Sequence, residues 1–60
     1  SLSARETEVL RLVLEGKDNQ NIAGELSLAA STVKVHVHNI LKKTGQANRQ
    51  ELMRDFRKVS

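Results

Sequence analysis

An all-α domain of four short helices is what this sequence predicts, on three observations. Side-chain caps and glycine stops punctuate the chain at helical intervals: Ser3, Asp18 and Asn48 at starts, Gly16 and Gly45 at ends. Between them, apolar residues recur at helical spacing. Only one stretch, TVKVHVH at residues 32–38, alternates as a strand would, and a lone strand has nothing to pair with.

The first helix is expected at 4–15. Ser3 and Glu6 have the spacing of a capping box, in which the hydroxyl and the carboxylate each take one free backbone amide. Val9, Leu10, Leu12, Val13 and Leu14 follow, and Gly16 stops the run. Asp18 caps a second helix at 19–26, whose stripe is Ile22, Ala23 and Leu26. Ser27, Leu28 and Ala29 form a three-residue turn.

The alternating stretch belongs to a third helix, 30–44. At about 100° per residue, Val33, Val37, Ile40, Leu41 and Thr44 fall in one arc about 100° wide. Ser31, Lys34, Val35, His38 and Lys42 fall opposite. The helical reading sorts residues well beyond the seven that alternate, and no turn residue separates the two halves. It leaves Val35 on the polar face. Asn48 and Glu51 repeat the capping-box spacing before a fourth helix at 49–59, with Leu52, Met53, Phe56 and Val59 on one stripe.

Composition narrows the function. Residues 1–60 make one small domain, and a chain this short buries only roughly 60% of its unfolded surface. Phe56 is its sole aromatic residue, so the core must be aliphatic. Without cysteine there is neither a disulfide nor a thiolate metal site. No apolar run approaches the ~20 residues of a membrane span, and no signal-peptide pattern is present. A start at Ser1 rather than Met points to a fragment of a longer protein. Residues 26–50 hold no acid, against Lys34, Lys42, Lys43 and Arg49, while residues 1–25 are net acidic. A basic segment beside an acidic one suits a polyanion on one side of the domain.

A helix, a three-residue turn and a helix with a basic outer face make the helix-turn-helix plan, here Asp18 to Val37. Ala23, Leu28, Val33 and Val37 suit the crossing of the two helices. On the outer face, lysine suits guanine or phosphate, valine a thymine methyl, and histidine either a donor or an acceptor. Ser31 and Thr32, in the first turn, sit at the positive end of the helix dipole and can reach phosphates.

These residues resemble the LuxR/FixJ/NarL-type helix-turn-helix, the C-terminal output domain of many bacterial transcription regulators. The likeness rests on LSARETEVLRLVLEG at 2–16, NQNIAGEL at 19–26, STVKVHVHNILKKTG at 31–45 and ANRQE at 47–51. It implies sequence-specific binding of double-stranded DNA, with 30–44 as the recognition helix in the major groove. At the matching positions it implies base contacts from Lys34, Val35 and His38, and backbone contacts from Ser31, Thr32, Asn39, Lys42 and Lys43. It further implies a homodimer on DNA through helix 49–59, an N-terminal receiver or ligand-sensing domain, and a cytoplasmic, nucleoid-associated place in a bacterium. It calls for no cofactor and no membrane.

The sequence departs from the family at several points. Ala29 stands at the cap of the third helix where Ser, Thr or Asp is usual, leaving the start of that helix to fray or to lean on Ser27 or Ser31. His38 stands where Lys or Arg is frequent. Thr44 and Gln46 replace apolar residues, Leu52 and Met53 replace smaller ones, and Arg54 and Asp55 make the last helix more polar.

Other chemistries fit less well. His36 and His38 lie about 200° apart on a helix, so they do not share a metal, and His36 falls beside the core stripe as a packing residue. Four short helices leave no pocket of the ~300 Å³ that a ligand needs, so no catalytic residue is expected and the chain is not expected to be an enzyme. The competing reading is a helical module that turns the same basic face to a protein or RNA.

Overall fold

The computed structural model describes residues 1–57, which form four helices: α1 (Ala4–Leu14), α2 (Asn19–Leu26), α3 (Ala30–Thr44) and α4 (Arg49–Arg57). No strand occurs among the described residues, and TVKVHVH lies wholly within α3. Val59 and the end expected for the fourth helix lie outside the described residues.

Each helix starts as its local sequence dictates, with one exception. At α1 the box is complete: Ser3 Oγ accepts from the Glu6 amide at 3.1 Å, and Glu6 Oε1 accepts from the Ser3 amide at 3.0 Å. Asp18 Oδ1 accepts from the Asn21 amide at 2.9 Å. Asn48 Oδ1 accepts from the Glu51 amide at 2.9 Å, and Glu51 Oε1 reaches one residue further back, to the Ala47 amide, at 3.0 Å. The exception is α3, whose cap residue Ala29 supplies no side-chain bond. Neither Ser27 nor Ser31 substitutes for it.

Three helices end in one way. The amides of Lys17, Leu28 and Gln46 donate to the carbonyls of Leu12, Ala23 and Leu41, five residues back. That closure needs a left-handed residue just before the donor. Gly16 (φ 88°) and Gly45 (φ 73°) supply it at two ends, and Ser27 (φ 57°) at the third. The α1 ending falls one residue earlier than the sequence suggests, because Glu15 already serves as the C-cap. The Ser27 ending makes the turn between α2 and α3 tight and returns Leu28 to the core.

Val9, Leu12, Val13, Ile22, Val33, Ile40 and Leu52 have almost no solvent exposure and fill the centre. Leu14, Leu26, Leu41, Met53 and Phe56 pack around them, partly buried. α1 and α3 each touch every other helix, whereas α2 and α4 do not pack on each other. α3 is therefore held from one side by three helices, and its opposite side is open.

Candidate nucleic-acid interface

The open side of α3 carries the residues singled out in the sequence. Ser31, Thr32, Lys34, Val35, His38 and Lys42 are exposed, and Asn39 is half-buried. Val35 is 57% exposed, the large hydrophobic residue left in solvent among those described. Lys34 and Lys42 form no ion pair among the described residues. The first turn of α3 presents amides that no side chain caps, next to the hydroxyls of Ser31 and Thr32. The helix-turn-helix stretch, Asp18 to Val37, runs from the cap of α2 through the Ser27 turn to the middle of α3.

Two cations of the basic segment are engaged inside the domain. Lys43 Nζ lies 2.8 Å from Glu6 Oε1, and Glu6 is only 5% exposed. The lysine's hydrogen bond, together with the Ser3 amide, holds the Glu6 carboxyl below its ordinary value. Arg49 donates through Nη1 to Asn19 Oδ1 at 2.6 Å and through Nη2 to the Lys17 carbonyl at 2.5 Å. Lys17 in turn pairs with Glu25, which raises the pKa of its ammonium. Of the four basic residues in 26–50, Lys34 and Lys42 are those left to face a partner.

Sequence reasoning missed the burial of Glu6 and the two acceptors of Arg49, although each leaves a trace. Glu6 precedes Val9, Leu10 and Val13 by three, four and seven positions, which puts a carboxylate on the core face of α1. Arg49 is the first residue of α4, where the positive end of the helix dipole disfavours a cation. Both placements call for a specific partner. His36 is half-buried on α3, as its place beside the core stripe suggests, and its Nδ1 is buried without a hydrogen bond.

No ligand-sized cavity and no metal-binding group of side chains occurs among the described residues. None of their helices is long and apolar enough to cross a membrane.

A family model described as bacterial regulatory proteins, luxR family, matches residues 1–56. The chain is also similar to the HTH-type transcriptional regulator MalT of Serratia proteamaculans (strain 568), with 43% identity over 58 residues. That match takes in 97% of this chain and spans 6% of the relative's length.

Proposed function

From the premise that the chain belongs to the luxR family of bacterial regulatory proteins, we propose that it binds double-stranded DNA sequence-specifically. It does so as the output unit of a bacterial transcription regulator, with α3 in the major groove. The observation that carries this reading is the open side of α3: an exposed face with two lysines that form no ion pair among the described residues, no acid and one solvent-exposed valine. A major groove admits one α-helix and offers acceptors, donors and thymine methyls to such a face.

The roles follow from position. Val35 and His38 in the middle of α3, with Lys34 at the edge of the face, read base edges. Ser31 and Thr32, with the uncapped amides beside them, grip a phosphate at the start of α3. Lys42 and Asn39 hold phosphates towards its end. Lys43 is exposed but spends its charge on Glu6, so its task is to hold α3 against α1 rather than to hold DNA. The chain acts as one domain of a longer regulator in the bacterial cytoplasm, with a receiver or ligand-sensing domain preceding it and α4 supplying a dimer contact on DNA.

Selection from a random-sequence duplex pool, followed by a salt titration, tests the reading. A specific reader enriches one motif, and its affinity for that motif falls steeply with salt. Enrichment of no motif, with equal binding to RNA or to an acidic protein, would favour an interaction module using the same face.

A further inference from the structure

α2 and α4 are the two helices that do not pack on each other, yet one side chain crosses between them. Arg49, the first residue of α4, sends one guanidinium nitrogen to the Asn19 side chain and another to the Lys17 carbonyl. These acceptors lie on either side of Asp18, the cap of α2. Arg49 therefore grips the start of α2 at two points. A planar fork suits two acceptors held at fixed positions, and a point-charge ammonium does not. The cation also sits at the positive end of α4, where only a specific partner would keep it.

We propose that Arg49 is a positioning residue for duplex binding: it ties the first turn of α2 to α4 and thereby fixes how the helix-turn-helix meets the DNA backbone. The proposal rests on the DNA-binding reading above. In a helix-turn-helix, the first helix of the pair crosses the backbone while the second enters the groove. The start of α2 must then be correctly placed before α3 can read bases. When it is loose, only a fraction of molecules is competent, and the apparent affinity falls by that fraction. Because Arg49 points its charge inward, to Asn19 and Lys17, it neutralises no phosphate and leaves the salt dependence untouched.

The test uses the 60-residue chain and the duplex that it enriches from a random pool. Affinity is measured across a salt series for Arg49→Ala, Arg49→Lys, Asn19→Ala and the Arg49→Ala/Asn19→Ala pair, well below each melting point. Lys42→Ala serves as the phosphate-contact control. Amide exchange at Asn21 and Ile22, whose amides donate to the Asp18 side chain and carbonyl, reports the first turn of α2. Arg49→Ala is expected to weaken binding about tenfold, the loss when a tenth of molecules remains competent. The salt slope should stay at the wild-type value, and exchange at Asn21 and Ile22 should quicken. Arg49→Lys should resemble Arg49→Ala, and the double variant should be no weaker than Arg49→Ala, since the two residues share one interaction.

A salt slope lowered by about one unit in Arg49→Ala would make Arg49 a phosphate ligand and overturn the proposal. Wild-type affinity in Arg49→Lys would reduce its part to charge alone, with the same consequence. If Arg49→Ala does not fold, Asn19→Ala decides, and unchanged affinity with unchanged exchange there would also overturn it. A wild-type chain that binds no duplex, with Asn21 and Ile22 protected, would sink the DNA-binding reading itself and this role with it.

Discussion

At the scale of single residues, the three lysines of α3 differ in what they touch. Lys34 and Lys42 lack ion pairs among the described residues, and Lys43 is spent on Glu6. Lys34→Ala should cost roughly 1–3 kcal/mol on the preferred duplex and relax preference at one base pair. Lys42→Ala should weaken all duplexes alike and lower the salt slope by about one unit. Lys43→Ala should lower the melting temperature and leave that slope alone. Paired salt titrations and melts of the three variants separate these outcomes. Val35 poses a different test, because an exposed apolar group gains nothing until something covers it. Val35→Ala should leave the melting temperature within a few degrees and cost about 1 kcal/mol or less in binding, the worth of one or two methyl contacts. Uracil in place of the contacted thymine should then hurt wild type but not the variant; equal losses would remove Val35 from the base-reading set. For Glu6 the sign of the pH dependence follows from its partners. Its pKa is lowered in the folded chain, so its contribution is complete above the ordinary value near 4.5 and is lost as pH falls through the lowered one. Melting temperatures of wild type should therefore drop on acidification below that value, and Glu6→Gln should start lower and drop less.

At the scale of elements, the start of α3 stands apart, because α1, α2 and α4 have side-chain caps and α3 has alanine. A cap contributes about 1 kcal/mol, which the free domain forgoes where the proposed function puts a phosphate. Ala29→Asp tests that connection. The new carboxylate should cap α3 and raise stability by roughly 0.5–2 kcal/mol. The same charge should repel a phosphate at that turn and weaken DNA binding severalfold. A melt and a binding curve on one sample decide the matter: a gain in both would place the phosphates elsewhere. The elements were legible in the sequence because their signals are local. Ser3 with Glu6, Asp18 with Asn21, and Gly45 after Thr44 act within a few positions, and the phase of α3 is set by its own fifteen residues. The sequence places Ser27 in the turn but does not show its left-handed backbone, since any residue other than glycine is uncommon there. The pairs Glu6–Lys43 and Arg49–Asn19 span 37 and 30 positions and depend on how finished helices meet. That is why the contact of Lys43 with Glu6 is not legible in the sequence.

At the scale of the whole molecule, the question is whether one domain suffices to hold its site. The body measures 28 × 19 × 19 Å, so a single copy covers roughly one turn of duplex, and a two-lysine face supplies a modest electrostatic share. A second copy on a neighbouring half-site would raise affinity through effective concentration, without strong contact between the copies. α4 is the helix proposed for that contact, and its means are small. Leu52 is fully buried in its own core, and Met53 and Phe56 are half-buried against it. Nine residues at about 1.5 Å each make a strip roughly 14 Å long. Two such strips bury a few hundred Å², short of the ~1,000 Å² that a stable interface needs. The chain should therefore sediment as a monomer at micromolar concentration and pair only on DNA. Half-sites about 10 base pairs apart set two copies on the same side of the duplex, and spacings about 15 apart set them on opposite sides. Binding should be cooperative at the first spacing and independent at the second. A stable dimer without DNA would mean that α4 buries more than its strip allows, and cooperativity indifferent to spacing would mean that the copies meet through some other surface.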